Sequence, residues 1–224
     1  MVEYLGASEV ENITQYIERS AGIQTIHQMK WLKDRVQERT GKSLDAWDYK
    51  DDYNQRLMLD VDRKKAQLAA GQADRESFLM AGAVPFLKAL RQLGVHLHVA
   101  SGTDQEDVIK EAELLGVSTL VDSISGAPYR AENCSKEKVL GDLIARQGLH
   151  GPQVCVIGDG RVEIALGVQM GARTLGLASD EVRRQGINQV KRGRLVEADA
   201  EAITGDFLAR ETLLAWMNLK GQPS

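Results

Sequence analysis

The stretch Val154-Cys-Val-Ile-Gly-Asp-Gly-Arg-Val-Glu163 decides the fold of this chain. Its apolar run ends at Gly158, Asp159 follows at once, and Glu163 lies four residues beyond Asp159. An apolar run of this kind, closed by a glycine turn, is typical of a buried parallel strand. In open α/β sheets the functional groups lie just past the carboxyl ends of such strands. Two carboxylates there predict a site for a hard cation such as Mg²⁺, and the alternative is that Asp159 caps the next helix.

Strands and helices alternate on both sides of this stretch. Apolar segments predict strands near 95–100, 120–124, 154–158 and 173–178, with a short last strand near 202–203. Helical periodicity precedes the first strand at 84–93 and continues between and after the strands at 104–115, 136–147, 161–170 and 181–194. A closing helix follows the last strand and runs to about 219. This alternation predicts βαβ units and a mostly parallel sheet. The fold class of this part of the chain is therefore α/β.

The first 80 residues show helical periodicity only. Apolar side chains recur at helical spacing, for example in the segment from Ile26 to Val36, and turns are predicted near Gly22, Gly41 and Gly71. We therefore expect two domains. A helical domain would span 1–80 and an α/β core would span 81–224.

Composition limits the functions that remain. The 224 residues carry a net charge of −4, which argues against a large nucleic-acid surface. Two cysteines, Cys134 and Cys155, do not make a disulfide framework. No apolar run approaches the roughly 20 residues that a membrane span needs, and no signal-peptide pattern opens the chain. We expect a cytoplasmic protein that binds neither nucleic acid nor membrane.

Two further motifs stand where a strand meets a helix. Ser101-Gly102-Thr103 ends the strand 95–100 and offers a hydroxyl and backbone N–H groups to an anion. Lys136 opens the helix before the strand 154–158, where its charge opposes the helix dipole, so an anionic partner would explain it. The alternatives are an N-cap role for Ser101 or Thr103 and a solvated surface position for Lys136.

Taken in this order, the motifs resemble those of the haloacid dehalogenase (HAD) superfamily. Ser101 matches the second motif, Lys136 the third, and Asp159 with Glu163 the fourth. The resemblance covers residue 82 to the C-terminus and implies a three-layer Rossmann-like core with a parallel sheet. The helical domain resembles the helical cap of the phosphoglycolate phosphatase-like branch.

The resemblance also implies a reaction, which is Mg²⁺-dependent hydrolysis of a phosphate monoester through an aspartyl-phosphate. Ser101, Gly102, Thr103 and Lys136 would hold the phosphoryl group of a small phosphorylated metabolite, and Asp159 would bind the metal. Many members have aspartate at the position of Glu163, so direct ligation by that longer side chain is the less secure part of the assignment.

The chain departs from the family in its first motif, an apolar strand ending Asp-x-Asp-Gly-Thr that carries the nucleophile. The sequence contains one Asp-x-Asp, Asp60-Val-Asp62, which lies in a polar helical pattern and is followed by Arg63-Lys64. We interpret it as a solvated helix face. Because the family's first strand is central in its sheet, its loss would leave a slot between the strands 95–100 and 154–158. We expect an N-terminally shortened phosphatase that is inactive alone.

A second hypothesis is a non-catalytic HAD-like protein that binds a phosphorylated ligand or a protein partner through the same anion-binding residues. In either case the helical domain would choose the substrate, and Gln24, Thr25 and His27 are the polar candidates. The alternative is that His27 is simply exposed on the first turn of a helix. A nucleotide-binding domain is disfavoured because no G-x-G-x-x-G follows a first strand. Neither the substrate nor the oligomeric state follows from the sequence.

Overall fold

The computed structural model describes residues 1–20, 23–128 and 136–219. The chain forms two compact units, Met1–Gln67 and Leu68–Ser224. The first unit is helical, and the second combines helices with parallel strands. The α/β fold class predicted from the alternating pattern is confirmed. The division between the units lies ahead of the domain boundary expected near residue 80.

The helical unit is organised around one apolar core. Its α-helices are α1 (Val2–Leu5), α2 (Val10–Arg19), α3 (Thr25–Thr40) and α4 (Ala46–Ala69), the last of which extends just past the unit boundary. Apolar residues at helical spacing on α3 are buried, as the sequence predicts, and they pack with residues of the neighbouring helices, including Leu5, Ile13 and Tyr49. This unit therefore folds by burying one apolar stripe from each helix.

The α/β unit contains strands β1 (His98–Asp104), β2 (Ser123–Ala127), β3 (Cys155–Gly158), β4 (Arg173–Leu177) and β5 (Ala202–Thr204). Its α-helices are α5 (Ala83–Gln92), α6 (Gln105–Leu114), α7 (Lys136–Gln147), α8 (Arg161–Gln169), α9 (Gln189–Glu197) and α10 (Arg210–Trp216). No described helix is long and apolar enough to cross a membrane.

The strands form two separate parallel sheets. β1 pairs with β2, and β4 pairs with β3 on one side and with β5 on the other. Within the described residues no ladder joins β1 to β3, and helix α7, which packs on β1, β2 and α8, links the two sheets. The break in pairing falls between the strands where the sequence predicts a slot.

Helices cover both faces of β4, because its side chains alternate in direction. Leu175 is fully buried on one face, where it packs with a cluster from α5 and α10 that includes Phe86 and Leu213. Thr174 and Gly176 point to the opposite face, where they meet Gly167 of α8 and Leu195 of α9. This period of two, with helices on each side, makes the three layers of a Rossmann-like core.

Helix α10 is tied to β4 through Arg173. The guanidinium of Arg173 lies over the ring of Trp216, with its carbon 4.3 Å from the ring centroid. It also hydrogen-bonds the carboxylate of Glu201, which the Nε atom reaches at 3.2 Å, and the backbone carbonyl of Trp216. The aromatic contact and the charged hydrogen bonds fix α10 against the three-stranded sheet.

Two local predictions were wrong. β1 begins at His98 rather than at 95, because the backbone of Leu97 hydrogen-bonds Asp122 before the ladder starts. The segment 181–188 is a loop rather than helix, and α9 begins only at Gln189. The Asp180 carboxylate accepts hydrogen bonds from the N–H groups of Val182 and Arg183, which favours a turn.

Candidate active site

Asp159 stands directly after β3, in the turn that leads into α8. Its carboxylate is about half exposed, at 49% of the side-chain surface. The strand ends at Gly158 and the helix begins three residues later at Arg161, which leaves the Asp159 side chain at the carboxyl edge of the sheet. The sequence predicts this placement, and the structure agrees with it.

A lysine from another helix contacts Asp159. The ammonium of Lys191, near the start of α9, lies 3.0 Å from Asp159 Oδ2, 2.6 Å from Glu181 Oε1 and 3.3 Å from Ser179 Oγ. Burial favours the neutral amine, but the hydrogen bonds that the ammonium donates to Glu181 and Asp159 outweigh it and raise the pKa of Lys191. The side chain is therefore a protonated ammonium at neutral pH.

Ser179 and Glu181 belong to a tightly anchored loop that follows β4. An isolated bridge pairs Ser179 with Ile187, and the Asn188 N–H donates to the Ala178 carbonyl at 2.8 Å, so the base of the loop is closed. The Asp180 carboxylate accepts backbone hydrogen bonds inside the loop, which lower its pKa. We call residues 179–187 the β4 loop. Its backbone contacts hold Ser179 and Glu181 beside the end of β3.

Glu163 has a structural role at the start of α8. Its Oε1 accepts a hydrogen bond from the Gly160 N–H at 2.9 Å, which is the contact of a helix N-terminal capping residue. The side chain is buried and lies against Gly158 and Gly160, where an added Cβ would collide with it. These two glycines therefore make room for the carboxylate. Its assignment as a second metal ligand stays a prediction.

The donors around Asp159 fit a hard cation in their chemistry. Carboxylates of Asp159 and Glu181 and the hydroxyl of Ser179 converge on the Lys191 ammonium, and such oxygens are the ligands that Mg²⁺ takes. In the part of the chain that the structure describes, no three His, Cys, Asp or Glu side chains group to hold a metal. Asp159 is the accessible carboxylate at the strand end, and its assignment as a metal ligand stays a prediction.

The Ser101-Gly102-Thr103 motif lies in a bulge of β1. Pairing with β2 runs through Ala100 and resumes at Asp104, and over this interval β1 advances four residues while β2 advances two. Ser101 Oγ accepts a hydrogen bond from the Thr103 N–H at 3.1 Å. The motif therefore falls within the assigned strand rather than past its end, but the bulge turns these residues away from the regular ladder. Its role in binding phosphate stays a prediction.

A polar side chain that the sequence did not single out fixes this bulge. Gln105, the first residue of α6, donates from Nε2 to the Ile124 carbonyl at 3.0 Å and accepts at Oε1 from the Gly126 N–H. The side-chain amide of Gln105 thus makes hydrogen bonds to the β2 backbone that a strand would make if the ladder were regular beside the bulge. No sequence signal identifies it except its position next to the Ser-Gly-Thr motif.

Cys155 is excluded as a nucleophile at neutral pH. It lies within β3, and burial raises the pKa of its thiol to about 11. Because the thiolate is the reactive form, this cysteine acts as a small apolar residue of the strand.

Comparison with protein-family models gives a match over residues 3–171 to the haloacid dehalogenase-like hydrolases. The matched segment covers most of the 224-residue chain. The chain belongs to this family. The family assignment inferred from Ser101, Lys136 and Asp159 is therefore confirmed. A search of curated protein sequences found no significant match.

Solved structures share the fold of this HAD-like hydrolase at low identity. A predicted phosphoglycolate phosphatase from Haemophilus somnus has a TM-score of 0.61 and 14% identity, over 92% of this chain and 87% of its own. A HAD family hydrolase from Deinococcus radiodurans, with bound phosphate and sodium, has a TM-score of 0.52 and 20% identity, over 64% and 62%. A predicted phosphatase from Clostridium acetobutylicum has a TM-score of 0.52 and 18% identity, over 60% and 59%. This HAD-like hydrolase thus spans about three fifths of the length of the last two structures.

The remaining predicted site residues of this HAD-like hydrolase lie elsewhere. The backbone of Lys136 begins α7, but its side chain lies outside the described part of the chain. Thr25 begins α3 in the helical unit, Gln24 precedes it, and His27 is exposed on the first turn. The Asp60–Asp62 segment lies inside α4, as the helical pattern predicts.

Sequence reasoning missed the Lys191 contact. Nothing in the local pattern distinguishes this lysine from the other basic residues of 181–194. A signal was nevertheless present, because the segments that follow neighbouring parallel strands meet at one edge of the sheet. Ser179 and Glu181 follow β4 just as Asp159 follows β3, so their proximity is a consequence of the strand order.

Proposed function

We propose that this HAD-like hydrolase is a Mg²⁺-dependent phosphatase for the phosphate monoester of a small cytoplasmic metabolite. The observation that carries the proposal is the half-exposed Asp159 carboxylate directly after β3 in a chain of this family. The structural neighbour with bound phosphate supports the substrate class, since the two proteins share a fold. Asp159 would hold the metal, with Glu163 as the second candidate.

The roles of the other residues follow from their chemistry. When bound, Mg²⁺ would neutralise charge on the phosphoryl oxygens. The Ser101 hydroxyl and the Gly102 N–H would hydrogen-bond those oxygens, because the bulge removes this segment from the regular ladder. The Thr103 N–H would join them by leaving Ser101 Oγ. Lys136 would add a positive charge from the start of α7. These groups bind and orient the phosphoryl group but do not attack it.

The nucleophile of the proposed reaction is the first aspartate of an Asp-x-Asp-Gly-Thr motif, and this sequence does not contain that motif. The Asp60–Asp62 segment lies within α4 and so cannot end a strand beside Asp159. We infer that an apolar strand ending Asp-x-Asp-Gly-Thr, placed between β1 and β3, completes the site. Its carboxylate oxygen would bond to phosphorus as the ester P–O bond breaks, and water would then release phosphate.

The test compares the chain alone with a fusion that carries such a strand ahead of Met1. Hydrolysis of p-nitrophenyl phosphate is measured with and without Mg²⁺. We expect no turnover by the chain alone and Mg²⁺-dependent turnover by the fusion. Asp159→Asn in the fusion should lower kcat by at least about a hundredfold, since it removes the metal ligand. Asp142→Asn, at an exposed aspartate of α7, is the matched control and should leave kcat unchanged.

Each result decides between the hypotheses. Mg²⁺-dependent turnover by the chain alone that survives Asp159→Asn would overturn the assignment of this carboxylate. Binding of inorganic phosphate by both proteins, with no turnover by the folded fusion, would favour the non-catalytic alternative. In that case the Ser101-Gly102-Thr103 bulge would serve as a ligand-binding element only.

The helical unit is the proposed site of substrate choice. We assign residues 1–80 the role of a cap domain and residues 81–224 the role of the catalytic core. Gln24, Thr25 and His27 would bind the leaving group of the substrate. The His27 imidazole is exposed, so it can hydrogen-bond a substrate hydroxyl; a plain surface position would be exposed as well, and the next experiment distinguishes the two. Replacing His27 with alanine in the active fusion should raise KM for a metabolite substrate but leave p-nitrophenyl phosphate turnover intact.

A further inference from the structure

The Lys191 ammonium is fully engaged by three oxygen acceptors. An ammonium has three N–H donors, and here Asp159, Ser179 and Glu181 each accept one, at 3.0, 3.3 and 2.6 Å. The lysine side chain is only 19% exposed, whereas its acceptors Asp159 and Glu181 are 49% and 65% exposed. This arrangement differs from an ordinary surface ion pair, in which a mobile lysine meets one carboxylate and contributes little.

One of the three acceptors, the Asp159 carboxylate, is also the group that would hold a divalent cation in the proposed function. Asp159 Oδ2 already carries a cationic partner at contact distance, and a metal on that carboxylate would lie within a few ångströms of the ammonium. Two positive charges so close repel each other strongly in a partly buried setting. A metal on Oδ2 would displace the ammonium, and a metal on Oδ1 would lie close to it, so Lys191 and a metal ion compete for Asp159.

Glu181 and Ser179 provide an alternative position for the ammonium. Both belong to the β4 loop, whose base is closed by backbone hydrogen bonds, so they stay in place when Asp159 changes partner. The Glu181 contact is also the shortest of the three. Lys191 can thus release Asp159 and remain bound to the loop, because only one of its three hydrogen bonds is lost.

We propose that Lys191 is a positioning residue that occupies the cation position at Asp159 and competes with a divalent metal for that carboxylate. The inference rests on the proposed function, in which Asp159 is the metal ligand. In the metal-free protein Lys191 neutralises Asp159 and Glu181 and joins the ends of β3 and β4. When a divalent cation binds, the ammonium leaves Asp159 and keeps Glu181 and Ser179.

Calorimetric titration of the full chain with Mn²⁺ or Mg²⁺ alone tests this competition without any assay of activity. Lys191→Met should bind the metal about fivefold more tightly than the parent chain, because the competing ion pair is gone. Lys191→Arg keeps the charge and should bind with nearly the parent affinity. Arg192→Met removes an equal charge from the exposed neighbouring position of α9 and is the matched control, with a change of less than about twofold.

Asp159→Asn separates this inference from the proposed function. If the parent and Lys191→Met both bind metal, Asp159→Asn does not, and Lys191→Met binds no more tightly than the parent, the competition is refuted while the metal site stands. If no variant binds metal, or if Asp159→Asn binds as well as the parent, the metal site itself is refuted and the competition with it. Thermal melting of each variant confirms that the protein compared is folded.

Discussion

The two sheets of the α/β unit differ in how they are stabilised. In the three-stranded sheet, Val156, Thr174 and Leu175 are buried between helices on both faces. In the two-stranded sheet, every residue of β1 is at least partly exposed, and Ala127 is the buried residue of β2. The sheet that presents Asp159 is thus a packed core, whereas the sheet that presents Ser101-Gly102-Thr103 has little apolar burial.

Polar contacts replace apolar burial in the two-stranded sheet. The Asp122 backbone N–H donates to the Leu97 carbonyl, and its carboxylate accepts from the Leu97 N–H, both at 2.7 Å. Ser123 Oγ lies 2.8 Å from His98 Nδ1, and Gln105 bonds the backbone of β2. The three-stranded sheet, which carries the proposed metal ligand, is therefore held by packed apolar side chains. The two-stranded sheet, which carries the proposed anion-binding residues, depends on a few hydrogen bonds.

The largest effect should come from removing the centre of the packed sheet. Leu175→Ala would leave a cavity between β4 and the α5–α10 cluster, because this side chain is fully buried. We expect the free energy of unfolding to fall by about 3 kcal/mol, in the range of buried leucine truncations. Urea denaturation followed by circular dichroism measures it.

A matched pair of valines gives the control for this experiment. Val156 of β3 is 6% exposed, whereas Val99 of β1 is only partly buried. Val156→Ala should therefore lower the urea midpoint more than Val99→Ala, since more apolar surface loses its contacts. Equal losses at the two positions would contradict the claimed difference between the sheets.

A smaller effect is expected from crowding the turn that carries Asp159. Gly158→Ala would place a Cβ against the Glu163 side chain, which then has to leave the Gly160 N–H. We expect a loss of about 1–3 kcal/mol, as for other overpacked positions. Because Glu163 shapes the turn, the same variant should weaken metal binding at Asp159, which titration with Mn²⁺ measures.

Gly193→Ala is the control for crowding. Gly193 lies in the interior of α9, and apart from the neighbouring residues and backbone of its own helix no described atom lies within 4 Å of an added Cβ there. The substitution should raise stability by up to about 1 kcal/mol, from helix propensity alone. Similar losses from both glycine variants would show that the Glu163 contact is not responsible.

The smallest effect concerns the polar contacts of the two-stranded sheet. The hydrogen bond from the Leu97 N–H, with Arg91 nearby, lowers the pKa of Asp122 below its usual value. A lowered pKa stabilises the fold above the unfolded-state pKa of about 3.9, and this contribution is lost as the pH falls through the lowered folded-state value. Asp122→Asn should therefore reduce the urea midpoint at pH 7 more than at pH 3.

Asp142→Asn serves as the comparison, because this exposed aspartate lies on α7 rather than in the two-stranded sheet. It should leave the urea midpoint nearly unchanged at both pH values. A loss from Asp122→Asn that is the same at pH 3 and pH 7 would argue against a role for the charged carboxylate.

Local signals made part of the α/β unit predictable. The apolar run before Gly158 predicts β3, and the helical pattern of 136–147 matches the bounds of α7. Each of these features depends on residues close in sequence, so the pattern contains the information needed. The position of Asp159 follows from them directly.

Features that depend on distant residues could not be predicted in the same way. Val95 and Leu97 have the pattern of a strand, but they pack beside the α5–α10 cluster and the ladder starts only at His98. The expected helix at 181–188 was wrong because Asp180 binds the loop's own N–H groups. The Lys191–Asp159 contact joins residues 32 positions apart, and only the strand order brings them together.

The positions of the tryptophans allow fluorescence to report on each unit separately. Trp31 and Trp47 lie in the helical unit, where Trp31 stacks on Tyr16, and Trp216 lies under the Arg173 guanidinium against the three-stranded sheet. These are the three tryptophans of the sequence. A chain with phenylalanine at positions 31 and 47 therefore has one indole emitter, and its fluorescence reports melting of the α/β unit alone.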